Sequence, residues 1–312
     1  MITTITLNTA IDQVYEVESL DVGGTNRVSA ITQEAGGKGM NVAKVLQYLG
    51  AEVNVGGFAG GTNGKKIRQL LKKRAIPSEL ITVSGESRIC LTVLDSLNSE
   101  MTELLESGPE ISIEEWQSML EWVKQKSKIV KWFALSGSLP KGLPTTAYAE
   151  LIQIIHANGA KAVLDSSGDA LRNGIEAKPF AIKPNEHEIA AILGKTAITE
   201  TELLEAGGRF VSEGIDHVCL TLGEEGAIFV NQYGYFKANA PSIDVINTVG
   251  SGDAFVGGLL YGLAQNEEIS TAYKRAIACG SVNAMYRAIG FIDLGQVEVL
   301  MEQITIEKIK DR

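Results

Sequence analysis

The stretch "NTVGSGDAF", residues 247–255, combines a permissive backbone with a single carboxylate. Gly250 and Gly252 flank Ser251, and Asp253 follows at the start of a segment with the pattern of a helix. Unobstructed backbone N–H groups at a helix N-terminus form a site for an anion. Such a site suits a phosphoryl group that gains charge during transfer, and Asp253 could accept a proton from an attacking hydroxyl. The alternative interpretation is that Asp253 only caps the helix.

A second glycine-rich stretch, "AGGKGMN" at 35–41, also precedes a helix. Its three glycines would let the backbone approach a ligand, Lys38 supplies a positive charge, and Asn41 lies within one helical turn. A tight strand-to-helix turn with a solvated lysine would give the same pattern. The stretch does not match a Walker A loop, and no GxGxxG follows the first strand, so a nicotinamide-binding Rossmann domain is disfavoured.

Two further stretches follow predicted strands. In "AIKPNEHE", 181–188, Asn185 and Glu188 lie three residues apart on the next helix, where their oxygens could hold Mg²⁺ through water. The same spacing fits a capping box equally well. In "LSGSLPKG", 135–142, a Ser/Gly turn follows a strand at the place where an α/β protein binds its ligand.

The elements that must position these residues alternate along the chain, as a parallel α/β sheet requires. Short apolar runs rich in β-branched residues predict strands at 3–7, 52–58, 129–135, 161–165, 180–183 and 217–222. Apolar residues at helical spacing predict helices at 40–49, 145–157, 252–265 and 268–288.

Two segments, 12–34 and 86–106, interrupt this alternation. Both alternate apolar and polar residues with no intervening helix, which is typical of antiparallel strands with one solvated face. We therefore expect them to pair into a small lid sheet over one edge of a single domain that spans 1–312.

Composition excludes several classes of protein. The formal net charge of −10 argues against a nucleic-acid surface, which is normally basic. The sequence contains neither a signal-peptide pattern nor an apolar run long enough to span a membrane. Cys90, Cys219 and Cys279 are far apart and odd in number, so no disulfide framework or zinc spacing is present. We expect a cytoplasmic protein.

Taken together, the motifs resemble those of the PfkB (ribokinase-like) family of carbohydrate kinases. "AGGKGMNVAKVL", "SGSLPKG", "VLDSSG", "KPNEHE", "TLGEEGA" and "NTVGSGDAFVGG" occur in this order, and the resemblance covers roughly residues 1–300. It implies a three-layer αβα core with a mainly parallel central sheet and a small antiparallel β lid. It also implies that ATP, Mg²⁺ and a sugar phosphate bind, and that a homodimer could form through the lid.

The resemblance assigns roles residue by residue. It implies that Asp253 is the catalytic base and that the anion hole is formed by Gly250, Ser251 and Gly252. The positions that match substrate contacts are Asp12, Arg27, Gly36, Gly37, Lys38, Asn41, Arg88 and Ser138. The positions that match the surroundings of ATP are Lys183, Asn185, Thr221, Gly223, Gly226 and Asn283. Glu188, together with Asn185, matches the family's metal motif.

Within the family, the chain is most similar to the branch of tagatose-6-phosphate kinase and 1-phosphofructokinase. Many 1-phosphofructokinases resemble "RxNxK" after the lid turn, whereas this chain has Arg88, Cys90 and Thr92. Cys90 and the segment 105–112 are more similar to the tagatose-6-phosphate kinases. Thr9 replaces a proline that is usual in the branch. We therefore expect a tagatose-6-phosphate kinase.

Other functions remain open from the sequence. The nearest is the same chemistry on fructose 1-phosphate. A nucleoside or pyridoxal kinase of the same fold is disfavoured because Lys38, Arg27 and Arg88 favour an anionic substrate. A nucleotide-binding regulator without catalysis is disfavoured by Asp253, since such a protein would not need the base.

Overall fold

The computed structural model describes residues 1–98 and 100–311. The strands are β1 (Ile2–Thr6), β2 (Ala10–Val17), β3 (Ala30–Gly36), β4 (Val53–Gly60), β5 (Ser78–Val83), β6 (Arg88–Asp95), β7 (Glu100–Leu105), β8 (Trp132–Ser136), β9 (Lys161–Asp165), β10 (Ala181–Ile182), β11 (His217–Thr221), β12 (Ala227–Asn231), β13 (Gly234–Ala238) and β14 (Ile306–Lys310). The helices are α1 (Lys38–Tyr48), α2 (Gly61–Lys73), α3 (Ile113–Lys126), α4 (Ala147–Ala157), α5 (Gly168–Glu176), α6 (Glu186–Ile192), α7 (Glu200–Ser212), α8 (Ser251–Ala264), α9 (Ile269–Ala284) and α10 (Leu294–Gln303).

The large central sheet is mainly parallel. Its strand order is β14-β13-β12-β11-β10-β9-β8-β1-β4-β5. All neighbours from β11 to β5 pair in parallel, whereas β12, β13 and β14 extend one side in antiparallel pairing. The carboxyl ends of the parallel strands therefore meet at one edge, where open α/β sheets bind ligands.

Helices cover both faces of this sheet. On one face α3 to α7 bury apolar side chains in a common core with residues of the sheet. On the other face α1, α2, α8, α9 and α10 do the same in two adjoining clusters. The result is the predicted three-layer αβα arrangement, in which α8 packs between α1 and α9.

The predicted lid is a separate four-stranded sheet of order β3-β2-β6-β7. Its two hairpins, β2 with β3 and β6 with β7, are antiparallel, as the alternating pattern indicates. The hairpins join along β2 and β6, which run parallel, with Asp12 opposite Cys90. Large exposed apolar side chains on or beside these strands are Ile31, Leu97, Leu104 and Leu105.

The predicted strands and helices are present with small shifts at their ends. The largest shift is at α9, which ends at Ala284 instead of residue 288. The carbonyl oxygen of Ala284 accepts the backbone N–H groups of Ile246 and Asn247, so it is diverted from the helical pattern. Among the described residues, no helix has the length and apolar character to cross a bilayer.

Candidate active site

A cleft of about 1400 Å³ lies between the carboxyl edge of the parallel strands and the lid. This volume exceeds the roughly 300–1,000 Å³ of a typical small-molecule pocket, so two ligands can lie side by side. Most of the residues predicted from the sequence line it: Asp12, Gly37, Lys38, Asn41, Arg88, Lys183, Asn185, Glu188, Thr221, Gly223, Gly226, Gly250, Ser251, Gly252 and Asp253.

The first turn of α8 faces this cleft with an open backbone. Gly250, at the N-cap, has a φ of 82°, a left-handed conformation that disfavours other residues. A Cβ at Gly250 would also lie 2.7 Å from the Cγ2 atom of Ile289. No side chain in the described part of the chain caps this helix by a hydrogen bond. The N–H of Ser251 donates to the carbonyl oxygen of Thr248 at 3.1 Å, so the N–H groups of this turn that are available to an anion are those of Gly252 and Asp253.

Asn283 shapes this turn from within the protein. Its side chain is fully buried, donates to the carbonyl oxygen of Val249 at 2.9 Å and accepts the N–H of Gly290 at 2.8 Å. Asn283 is absent from the cleft lining. It therefore supports the glycine turn. Asn283 itself does not reach the cleft in which ATP is predicted to bind.

Asp253 lies within the first turn of α8 and is 5% exposed. Its Oδ2 atom accepts a hydrogen bond of 2.9 Å from the side-chain amide of Asn41. Burial raises the pKa of Asp253 to about 7, although nearby Lys38 and the hydrogen bond from Asn41 oppose this shift. A carboxyl group with a pKa near neutrality can both accept and release a proton, as a general base requires.

Asp165 is a site residue that sequence reasoning missed. It ends β9, is fully buried, and lies 3.2 Å from the Nζ atom of Lys183 and 3.4 Å from that of Lys38. Burial alone would raise the pKa of Asp165, but the two lysines outweigh it and hold the pKa below its usual value. Its position at the end of the strand in "VLDSSG" was the available signal.

The lid side of the cleft is built around Asp12. A Cβ at Gly36 would lie 2.1 Å from the carboxyl carbon of Asp12, so only glycine fits there. Burial raises the pKa of the Asp12 carboxyl group, although Lys44, Arg88 and the backbone N–H of Gly37 oppose this shift. The guanidinium of Arg88 donates to the carbonyl oxygens of Asn8 and Glu106, each at 3.2 Å. Arg88 is thereby oriented across the lid.

Three predicted substrate contacts lie outside the lining of the cleft. Gly36 adjoins it through Asp12. Arg27 is exposed in the connection between β2 and β3. Ser138 is exposed in the turn after β8, with its hydroxyl 3.5 Å from the side-chain nitrogen of Asn8. The roles assigned to these residues stay predictions.

Asn185 and Glu188 form the capping box that their spacing allows. The Oδ1 atom of Asn185 accepts the N–H of Glu188 at 2.8 Å, and the Glu188 carboxylate accepts the N–H of Asn185 at 2.9 Å. Both residues also line the cleft. The capping role therefore does not exclude a ligand role.

The donor set around Glu188 fits Mg²⁺ bound mainly through phosphates. The described residues contain no group of three or more His, Cys, Asp or Glu side chains arranged to hold a metal ion. Proteins commonly hold Mg²⁺ through one or two carboxylates, water and substrate phosphates. Burial raises the pKa of Glu188, which a bound cation would oppose.

The mainly parallel αβα sheet with a large cleft at its carboxyl edge is typical of α/β phosphotransferases. The family follows from the sequence, since residues 5–291 match the model of the pfkB family carbohydrate kinase. The chain belongs to this family and is an ATP-dependent sugar kinase.

Solved structures of similar proteins include several phosphofructokinases. A provisionally assigned phosphofructokinase from Staphylococcus aureus is 33% identical, with a TM-score of 0.86 over 100% of both chains. The tetrameric inhibited form of phosphofructokinase-2 from Escherichia coli is 25% identical, with a TM-score of 0.91 over 97% of this chain and 98% of that one. A provisionally assigned 1-phosphofructokinase from Thermotoga maritima, 23% identical with a TM-score of 0.87 over 99% and 100% of the chains, shares the fold.

Proposed function

We propose that this kinase uses ATP and Mg²⁺ to convert a ketohexose monophosphate into a ketohexose 1,6-bisphosphate, with tagatose 6-phosphate as its substrate. The observation that carries the proposal is the buried carboxylate of Asp253 directly beside the open N-terminus of α8. This arrangement offers a proton acceptor for the sugar hydroxyl and a binding site for the transferred phosphoryl group within one helical turn.

In the proposed mechanism, Asp253 takes the proton of the attacking hydroxyl. The free N–H groups of Gly252 and Asp253, in the first turn of α8, bind the oxygens of the transferred phosphoryl group, on which negative charge develops. Lys183 and Lys38, which both pair with Asp165, supply positive charge on the same side of the cleft. Bound Mg²⁺, held through Glu188 and Asn185, would neutralise phosphate charge.

The choice of substrate rests on the lid. Arg88, Cys90 and Thr92 all line the cleft from one face of β6, where they face the acceptor. Two small side chains after the arginine favour tagatose 6-phosphate, as the resemblance implies. Fructose 1-phosphate is the second candidate, because the sequence also resembles the 1-phosphofructokinases of the same branch.

A coupled assay of ADP release over tagatose 6-phosphate, fructose 1-phosphate and fructose 6-phosphate tests the proposal. We expect the highest kcat/KM with tagatose 6-phosphate. A higher kcat/KM with either fructose phosphate would identify that compound as the substrate instead. No turnover with any of the three would favour a nucleotide-binding regulator without catalysis.

Lys38→Met tests the contact with the substrate phosphate. If Lys38 binds the phosphate of the sugar, KM for the sugar phosphate should rise ~10-fold or more, while KM for ATP barely changes. This rise is expected for a lost charge-assisted contact of roughly 1.5–3 kcal/mol. Lys65→Met, on the exposed face of α2, is the matched control and should leave both constants unchanged. Lys38 also lies near the carboxylates of Asp165 and Asp253, which raise its pKa. A fall in kcat alone would therefore assign this lysine to the transferred phosphoryl group instead.

Glu188→Gln tests the metal assignment without disturbing the helix, because glutamine also serves in a capping box. We expect the Mg²⁺ concentration for half-maximal rate to rise, with KM for the sugar nearly unchanged, since a neutral amide binds Mg²⁺ less strongly. Glu115→Gln, in the capping box of α3, is the control. An unaltered Mg²⁺ titration would leave Glu188 with the capping role alone.

The lid provides the proposed dimer contact. Ile31 and Leu104 are large apolar side chains that are 60% and 57% exposed on its strands. Exposed apolar patches commonly mark interfaces, and phosphofructokinase-2 from Escherichia coli has a tetrameric form. Sedimentation velocity should give a dimer that Ile31→Glu dissociates, and a wild-type monomer would contradict this.

A cytoplasmic location stays a prediction.

A further inference from the structure

Lys44 is a buried cation that the proposed mechanism does not use. It lies on α1, is 1% exposed, and is absent from the lining of the cleft. Its Nζ atom donates a hydrogen bond of 3.1 Å to the Oδ1 atom of Asn41, one helical turn earlier. A buried lysine is costly unless its charge is compensated, so its position requires an explanation.

The contact with Lys44 determines which way the Asn41 amide faces. An ammonium group can only donate, so Asn41 must turn its oxygen toward Lys44. Its NH₂ group then faces the other way and donates to the Oδ2 atom of Asp253 at 2.9 Å. The reversed amide would point its oxygen at Asp253, and that arrangement favours the protonated carboxyl group.

We propose that Lys44 is a positioning residue for the catalytic base: it holds the Asn41 amide so that its NH₂ group donates to Asp253, which keeps that carboxylate ionised and leaves Oδ1 for the acceptor hydroxyl. The proposal rests on the assignment of Asp253 as the base. It explains why a lysine that touches no ligand occupies the interior beside the cleft.

Carboxylates near Lys44 offset part of the cost of burying its ammonium group. Burial lowers the pKa of Lys44 overall, and the carboxylates of Asp12, on β2, and Glu34, on β3, oppose only part of this shift. Arg74, at the end of α2, acts in the same direction as burial, yet its guanidinium is paired with Glu34 at 2.6 Å. Lys44 is therefore buried beside carboxylates of opposite charge from two lid strands.

The charges around Asp253 come from other elements. Burial raises its pKa, Lys38 and Lys183 lower it, and Asp165 raises it. These effects leave the pKa of Asp253 at about 7, so a change in a single hydrogen bond moves its titration within an accessible pH range.

The test is the pH dependence of kcat in wild type and Lys44→Met. Because the base must be ionised, kcat falls at low pH. The midpoint of this acid limb of the pH profile reports the pKa of the base in the ternary complex. Loss of the Lys44 donor should move the limb up by about one pH unit and restore kcat at high pH. Lys44→Arg, which keeps a donor and a charge, should return the limb toward wild type.

Two controls separate positioning from general damage. Leu46→Ala, at a fully buried position on the same helix, should lower the melting temperature without moving the limb. In an Asn41→Ala background, Lys44→Met should cause no further shift, because the hydrogen bond from Asn41 to Asp253 is already absent. An unchanged limb in folded Lys44→Met, or an equal shift in Leu46→Ala, would overturn the proposal.

A variant that fails to fold does not end the test. Lys44→Gln removes the obligatory donor and can present either amide atom to Asn41, so its limb should rise by roughly half a pH unit. A limb equal to that of wild type would overturn the proposal. Failure of this proposal can be distinguished from failure of the base assignment: if Asp253→Asn is inactive while the Lys44 variants keep the wild-type limb, only the role of Lys44 fails.

Discussion

Asp253→Asn should lower kcat by about 10²–10⁴-fold, the usual contribution of a positioned general base. Asparagine caps a helix about as well as aspartate and can still accept the hydrogen bond from Asn41, but it cannot take the proton. The variant should therefore bind ATP and the sugar phosphate with near wild-type affinity. Single-turnover kinetics with isothermal titration calorimetry would measure both properties.

The same variant should be at least as stable as wild type at pH 8. The folded-state pKa of Asp253 is raised, so its favourable contribution is present at low pH and is lost as pH rises through about 7. Asparagine resembles the protonated acid, so the difference in melting temperature should shrink on acidification. Asp293→Asn, at the N-cap of α10, is the matched control and should retain activity. Turnover of Asp253→Asn within a few-fold of wild type would falsify the mechanism.

Asp165→Ala should be the most destabilising single change in the site. It leaves Lys183, and in part Lys38, without the carboxylate that compensates them, and such losses cost about 3–5 kcal/mol. Urea unfolding at pH 8 measures the effect. Because the pKa of Asp165 is depressed, its contribution is present above the unfolded-state pKa and is lost as pH falls, so the difference should diminish in acid.

ATP provides a specific check on this interpretation. Its phosphates can replace the missing negative charge beside Lys183, so saturating ATP should stabilise Asp165→Ala more than wild type. Glu213→Ala breaks an exposed pair with Arg209 and should cost about 1 kcal/mol or less, with no added effect of ATP. Equal stabilisation of wild type and Asp165→Ala by ATP would show that Lys183 does not contact its phosphates.

The sequence could predict those parts of the site whose chemistry is local. The turn at Gly250 and the carboxylate at Asp253 lie in one short stretch, and the helix that they begin has its own apolar pattern. The capping box of Asn185 and Glu188 depends only on their spacing. The lid hairpins followed from alternation, although their parallel junction depends on how two distant segments meet.

Contacts between distant segments could not be predicted in this way. Asp165 lies 127 residues from Lys38, and only the order of the strands brings the two together. The partner of Lys44 is local, but its burial also involves the distant turn at Gly290, where a Cβ would lie 3.1 Å from the Cδ atom of Lys44. Asn283 matched a nucleotide position in the motif pattern, yet its polar atoms are used within the protein.

The tight packing of α8 determines where movement can occur during a catalytic cycle. A Cβ at Gly257 would lie 2.7 Å from the Cγ1 atom of Val45 on α1, and a Cβ at Gly258 would lie 2.7 Å from the carbonyl oxygen of Arg275 on α9. A helix with close neighbours on two sides cannot slide without displacing both. Asp253 and the anion site therefore stay in place, and movement of the lid must bring the two reactants together. Mutations that change the speed of that approach should accordingly map to the hairpins and their connections to the core, and leave α8 untouched.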